Sequence, residues 1–208
     1  MPRSAMFENV NSIELIGTIS SSPEYSHSIC GEAFYRTELA VKRLSGTEDF
    51  IPVTVSERLL GSLEAECGMR FYIRGQIRSY NQRSERGNRL IITVFARSIR
   101  PADETENDRN EAELSGYICK DVIYRTTPFE REIADILLAV NRRYNKSDYL
   151  PLIAWGRNAR FLSEAPVGTE LSVTGRLQSR EYKKQLEDGT EQIRIAYEVS
   201  CSAVEAGI

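Results

Sequence analysis

Apolar and polar residues alternate in two segments of the chain, one around residue 75 and one around residue 175. In residues 71–80, apolar side chains or glycine occupy every second position from Phe71 to Ile77, and polar or tyrosine side chains occupy the others; residues 171–182 repeat this alternation. A period of two predicts β-strands with one face in the core and one in solvent. The glycines within them, Gly75 and Gly175, predict a bend or bulge, as small curved barrels require.

The alternation occurs twice because the chain contains an internal repeat. FIPVTVSER at 50–58 returns as YLPLIAWGR at 149–157, an offset of 99 residues (149 minus 50). GMRFYIRGQIRSY at 68–80 returns as GTELSVTGRLQSR at 168–180, an offset of 100 (168 minus 68). A period this long is too large for a solenoid repeat and indicates a duplicated domain.

An acidic segment separates the two copies. PADETENDRNEA at 101–112 opens with a proline, has few large apolar residues, and carries five acidic residues against one arginine. This composition is typical of a linker. The sequence therefore predicts a first domain over 1–101, a linker over 102–111 and a second domain over 112–208. An alternative is that the acidic segment attracts a partner protein.

Short helices interrupt a pattern that otherwise predicts strands. Residues 57–66 and 157–165 have apolar residues at helical spacing, which predicts one short helix in each copy. Residues 128–140 are ambiguous, since their apolar residues also fit a helical stripe. However, LAV at 138–140 matches LAV at 39–41, and the repeat therefore favours a strand here.

Composition narrows the class of protein. The hydrophobic fraction is 41% and the net charge is −3; a mean hydropathy of −0.38 indicates a packed, soluble protein. No apolar run approaches the ~18 residues that span a bilayer, and the N-terminus lacks the apolar core of a secretory signal. We expect a cytoplasmic protein without membrane contact. The overall charge does not itself suggest nucleic acid.

No residue pattern predicts a metal, a cofactor or a catalytic site. Cys30, Cys67, Cys119 and Cys201 are far apart and form no CxxC pair, so reduced and partly buried thiols are expected. His27, the single histidine, lies near Cys30, but no further ligand pair accompanies them. Because a nucleotide-binding glycine loop is also missing, we expect no cofactor and no enzyme.

Each copy orders its elements as three strands, a short helix and a long basic hairpin, the order of a five-stranded OB barrel. The matching motifs are NSIELIGTISSSPEY, ELAVKR, DFIPVTV, RGQIRSY and NRLIITVFARSI in the first copy, and ELSGYI, LAVNRRY, SDYLPLIAWGRNA, VGTELSVTGRLQSREY and IRIAYEVSCSAV in the second. With these motifs the chain resembles the bacterial single-stranded-DNA-binding proteins. The resemblance implies an all-β protein of two tandem OB-fold five-stranded barrels, each with a short helix between strands 3 and 4.

The resemblance also implies a function and partners. Proteins of this family coat single-stranded DNA during replication, recombination and repair, and two-domain members form homodimers that bring four OB folds together. We therefore expect single-stranded DNA, a second copy of the chain and possible replication or repair proteins as partners, at the nucleoid. The alternative is an interaction module of a replication or primosome assembly that has weak DNA affinity.

Tyr149 and Trp155 are the leading candidates for DNA contact. In a strand over 149–155 they share a face, because they lie six residues apart. Both match family positions that carry base-stacking aromatics. Packing of such rings against a neighbouring loop or subunit is the alternative. The further residues that the resemblance implies in the second copy are Tyr144, Tyr182, Arg142, Lys146, Arg157, Arg176 and Arg180.

The first copy departs from the family pattern. Phe50 keeps a ring at the position of Tyr149, but Ser56 replaces Trp155 and Glu57 replaces the following glycine. We therefore expect the first copy to bind DNA more weakly, or to serve partly in assembly. The candidate contacts that remain on its outer face and hairpin are Arg74, Arg78, Tyr80 and Arg83.

Overall fold

The computed structural model describes residues 10–61, 63, 65–84, 87–185 and 189–207, with side chains throughout except at positions 83, 84, 87, 88 and 184. The first copy forms five strands and one short helix. They are β1 (Asn11–Ile29), β2 (Glu32–Lys42), β3 (Glu48–Ser56), α1 (Glu57–Leu60), β4 (Arg70–Ser84) and β5 (Gly87–Pro101).

The second copy repeats this order with one interruption. The region that matches the long β1 is divided into two strands, β6 and β7, which residues 119–122 separate. A 3₁₀ turn over Arg143–Asn145 also joins its third and fourth strands. Its elements are β6 (Arg109–Ile118), β7 (Ile123–Thr126), β8 (Glu132–Arg142), β9 (Lys146–Trp155), α2 (Arg157–Leu162), β10 (Glu170–Gln185) and β11 (Glu191–Ala206).

Each copy closes into a barrel. In the first, β1 pairs with β2 and β4, while β3 pairs with β2 and, in parallel, with β5, which also pairs with β4. In the second, β6, β8, β9, β11 and β10 make the corresponding ring. Aliphatic side chains that alternate along these strands fill both interiors, among them Leu15, Leu39 and Ile73 in the first barrel and Leu114, Leu138 and Leu150 in the second. The predicted fold, two tandem OB barrels, is confirmed.

The local predictions are also confirmed in their main features. The ambiguous region forms strand β8 rather than a helix. Register shifts occur between Arg74 and Gly75 and between Thr174 and Gly175; a Cβ on Gly75 would lie 2.5 Å from the carbonyl oxygen of Phe95. Both predicted helices exist but are shorter than the patterns indicated, with four and six residues.

The two barrels share one continuous sheet. β1 and β6 pair in antiparallel fashion from Asn11 opposite Leu114 to Ile16 opposite Arg109. Asn11 donates to the carbonyl oxygen of Ile77 at 2.8 Å, and Asn110 donates in the same way to Leu177 at 2.6 Å. Because Ile13 pairs with Ala112, its equivalent in the repeat, in antiparallel fashion, the barrels are related by a pseudo-two-fold axis.

The acidic segment between the barrels packs on the first barrel. Asp108 accepts a hydrogen bond from the backbone N–H of Lys42 and lies 2.7 Å from the guanidinium of Arg70. Glu106 accepts two hydrogen bonds of 2.9 Å from Arg100, which lower the pKa of its carboxyl group to about 2. Residues 109–111 of the expected linker already belong to β6.

The structure also shows how long and apolar the helices are and how far the cysteines are buried. No helix in the described part of the chain is long and apolar enough to span a membrane. Cys201 is buried, and this burial raises the pKa of its thiol to about 12. Cys30 and Cys67 are exposed free thiols.

Candidate nucleic-acid interface

The outer face of β9 presents two aromatic rings to solvent. Tyr149 is 47% exposed and Trp155 is 40% exposed, whereas Leu150, Leu152 and Ala154 between them are buried in the barrel. The Trp155 indole N–H donates to the hydroxyl of Ser200 on β11 at 3.3 Å, and this hydrogen bond fixes one edge of the indole. The alternation predicted for this strand is confirmed, and both rings remain available for stacking.

A third aromatic residue stands at the turn before β9. Tyr144 is 91% exposed, and its backbone adopts a left-handed conformation with φ of 63°. This conformation turns the chain sharply between Arg143 and Lys146. The turn borders a groove of about 690 Å³ at the junction of the barrels, lined by Asn11, Gln76, Arg78, Arg97, Asn141, Arg142, Arg143, Tyr144 and Lys146.

Arg78 and Arg142, two of the predicted phosphate contacts, both hold a buried carboxylate. Asp148 is fully buried, and it accepts hydrogen bonds from the backbone N–H of Ser79 at 2.8 Å and from Arg78 at 2.9 Å. The guanidinium of Arg142 lies 3.4 Å from the same carboxylate. The contacts from Arg78 and Ser79 link β9 of the second barrel to β4 of the first, and Arg142 holds the carboxylate from β8 of its own barrel.

The pseudo-two-fold axis repeats this link with one difference. Asp49 accepts a hydrogen bond of 2.9 Å from the backbone N–H of Ser179 and a pair from Arg43. Gln178, however, stands where the first barrel has Arg78, and it donates to Glu198 instead. Asp49 therefore has one arginine partner where Asp148 has two. Phe50, beside Asp49, is 39% exposed.

The remaining predicted cations differ in how freely they face solvent. Arg180 lies 3.6 Å from Glu198, and Arg74 lies 4.0 Å from Glu14, so nearby carboxylates offset both charges. Arg176 contacts the neutral Gln178 at 3.5 Å. The side chain of Arg83 lies outside the described residues. Among the predicted cations whose side chains are described, including the second-barrel residues Lys146 and Arg157, the exposed side chains are those of Arg74, Lys146, Arg157, Arg176 and Arg180.

The hairpins of the two barrels bring Tyr80 and Tyr182 into one groove. Tyr80 is 40% exposed and accepts a hydrogen bond of 2.6 Å from Arg36, and Tyr182 is 37% exposed. This groove, of about 420 Å³, also contains Arg89 and Arg194. Sequence reasoning had named the two tyrosines but not the three arginines, because a repeat pattern does not reveal which residues of the two copies meet.

The first barrel carries an aromatic cluster that the sequence analysis missed. The ring of Phe34 lies 5.1 Å from the ring of His27 and 5.5 Å from that of Phe95. Arg97 lies over Phe95, 5.5 Å from the ring centroid. Burial lowers the pKa of Arg97, and the neighbouring charges of Arg78 and Arg143 lower it further. An alignment of β5 with β11 could have drawn attention to this cluster, because it places Phe95 and Arg97 where the second copy has two serines, Ser200 and Ser202.

A model of the single-strand binding protein family matches residues 109–206, nearly the whole second barrel. The second barrel of the chain is thus similar to this family. A match that extends over both barrels is to the single-stranded DNA-binding protein of Thermus aquaticus, which is 28% identical over 202 residues. The match includes 83% of this chain and 76% of the Thermus protein.

Other relatives match a smaller part. The single-stranded DNA-binding protein of Streptococcus mutans is 34% identical over 83 residues, which are 36% of this chain and span 51% of that relative's length. A crystal structure of the Thermus aquaticus protein, a deletion mutant, superposes with a TM-score of 0.76 at 24% identity and covers 96% of this chain and 95% of the mutant. The likeness of the two structures shows that they share the fold.

Proposed function

We propose that the protein binds single-stranded DNA with little sequence preference. The observation that carries this proposal is the outer face of β9, where Tyr149 and Trp155 stay exposed although the residues between them are buried. Exposed rings on a barrel strand offer stacking surfaces to any base, since every base has a π-face. The names of the Thermus and Streptococcus relatives support the same activity.

In the proposed mechanism, rings hold bases and cations hold phosphates. Tyr144, Tyr149 and Trp155 stack on successive bases, and Tyr182 does so at the hairpin groove. Lys146, Arg157 and Arg176 contact the phosphate groups and release counterions from the strand, so that binding weakens as salt rises. Binding of this kind requires no bond to be made or broken, and the protein acts as a binder rather than as an enzyme.

A fluorescence titration tests the proposal, because Trp155 is the single tryptophan of the chain. Addition of oligo-dT is expected to quench its emission, and added salt is expected to restore it. If oligo-dT neither quenches Trp155 nor binds in an anisotropy assay at low salt, the proposal is wrong. The interaction module of a replication or primosome assembly then becomes the better hypothesis.

We further propose that two chains associate, so that four barrels cover the DNA, and that the protein acts at the nucleoid in replication, recombination and repair. The family resemblance supports this arrangement. The domain division at 1–101, 102–111 and 112–208 is part of the same proposal, with strand β6 of the second barrel beginning at Arg109. Replication or repair proteins are its expected further partners.

A further inference from the structure

Aligned positions on the outer faces of the two barrels differ in charge. Arg36 of β2 aligns with Asp135 of β8, and Thr93 of β5 aligns with Glu198 of β11. Arg97 likewise aligns with Ser202. At each of these positions the first barrel carries one or two more units of positive charge than the second. At these three positions the outer face of the first barrel is therefore more attractive to an anionic strand.

The first barrel also has a large aromatic ring near the position of Trp155, but a different strand supplies it. In the second barrel, Trp155 of β9 lies beside Ser200 of β11, to which it donates a hydrogen bond. In the first barrel, Ser56 stands at the position of Trp155, and Phe95 stands at the position of Ser200. Both barrels thus have a large ring at this place on the same pair of strands, although different strands supply it.

Phe95 belongs to a groove of suitable size and chemistry. The groove has a volume of about 660 Å³ and contains His27, Tyr80 and Arg97 together with Phe95. Arg36 and Arg97 contact neutral partners, the hydroxyl of Tyr80 and the side-chain oxygen of Gln76, so their charges stay available to a phosphate. Rings beside available guanidinium groups are what a single strand requires.

The groove continues into the cationic junction between the barrels. Arg78, Arg97 and Arg142 line both this groove and the one that reaches Tyr144 and Lys146. At the pseudo-symmetric position the corresponding groove contains four carboxylates and four cations: Asp49, Glu106, Asp108, Glu111, Lys42, Arg43, Arg109 and Arg176. The junction therefore offers a phosphate backbone one side lined by cations and one side where carboxylates and cations are equal in number.

We propose that the first barrel holds a second segment of the single strand, with a base stacked on Phe95 and phosphates on Arg36 and Arg97. The strand reaches this site from Tyr144 and Tyr149 across the cationic side of the junction. This inference rests on the proposed function and extends it, because it assigns the stacking surface of the first barrel to Phe95 of β5, where the second barrel has Ser200.

A reporter protein tests whether DNA reaches Phe95. The full chain carries Trp155→Phe together with Phe95→Trp, so that its one indole lies at the proposed site. Oligo-dT of about 30 nucleotides, longer than the ~4–16 that one OB fold covers, is expected to quench it reversibly with salt. A control with Trp155→Phe and Phe129→Trp, at a position that is 87% exposed in the β7–β8 turn, is expected to keep its emission. If the indole at position 95 is quenched no more than the control, the inference is wrong.

Binding by a Phe95→Leu variant provides a second test, since leucine retains packing against Phe34. With Trp155 as the probe, affinity for oligo-dT of about 30 nucleotides should fall on the order of tenfold, while affinity for oligomers of about 8 nucleotides should not change. The matched Phe129→Leu variant should bind both as the unaltered chain does. Equal affinities of Phe95→Leu and Phe129→Leu for the long oligomer would overturn the inference. Absence of binding by the unaltered chain would instead overturn the proposed function.

Discussion

At the residue scale, the exposed rings of β9 have the clearest consequence. Trp155 presents its indole to solvent while one edge is held by Ser200. In the proposed function such a ring is pre-positioned for a base, because little side-chain freedom is lost when the base stacks.

Trp155→Ala is expected to weaken binding of oligo-dT by about 1–3 kcal/mol, or roughly 5- to 150-fold, the value of one stacked base. Fluorescence anisotropy of labelled DNA measures the change without the tryptophan. Phe161→Ala, which removes an exposed ring on α2, is the control and should bind normally. Equal affinities of the two variants would show that the indole contributes no stacking.

Glu106 gives a residue-scale prediction about pH. Its folded pKa, about 2, lies below the value for an unfolded chain, so its pairing with Arg100 stabilises the docked acidic segment above the unfolded pKa and is lost as pH falls through about 2. The carboxyl carbon of Glu106 should still show a carboxylate shift by NMR at about pH 3.5. Arg100→Gln should raise this pKa toward its ordinary range, and a titration unchanged by that substitution would contradict the assignment.

At the element scale, strand periodicity predicted which residues fill the barrels. The positions of Phe71, Ile73 and Ile77 follow from alternation alone, because burial of one face is a local property of a strand. The strand β8 could not be assigned in this way, since its apolar residues fit both periods. The internal repeat resolved it by supplying a second copy of the same element.

The contacts between elements of different copies could not be predicted. Asp148 gave no signal in the sequence, yet it is fully buried between Arg78, Arg142 and the backbone of Ser79. A repeat fixes equivalent positions, but it does not state how the copies pack together. Phe95 and Arg36 were missed for a different reason. Their role as candidate DNA contacts appears only when the outer faces of the two barrels are compared position by position.

Asp148→Ala is expected to destabilise the protein by about 2–3 kcal/mol, because it leaves the Ser79 N–H and two guanidinium groups without their buried acceptor. Urea denaturation measures the free energy of unfolding. Asp121→Ala, at an exposed position, should change it by less than about 0.5 kcal/mol. A similar small effect for Asp148→Ala would show that the carboxylate does not hold the barrels together.

At the scale of the whole molecule, the pairing of β1 with β6 makes the two barrels one unit. Composition and net charge gave no hint of DNA at this scale, since acidic and basic residues nearly cancel. Net charge does not reveal how the charges are distributed: one side of the junction is lined by cations, whereas on the other the carboxylates are matched by an equal number of cations.

The proposed association of two chains belongs to this scale as well. Light scattering coupled to size exclusion should give twice the chain mass of 23.6 kDa at micromolar concentration. Four barrels in one particle should also protect a longer stretch of DNA from nuclease than two. A mass of 23.6 kDa under these conditions would contradict the association and leave the binding proposal intact.

The two barrels joined through β1 and β6 carry different residues on their outer faces, so the two ends of the molecule are not equivalent. A symmetric pair of identical barrels presents the same surface to either end of a nucleic acid, so it cannot distinguish the 5′ end from the 3′ end. Here the indole lies at one end of the proposed path and the phenyl ring of Phe95 at the other. A threaded strand therefore meets different chemistry in its two orientations, and the chain has the physical means to prefer one polarity.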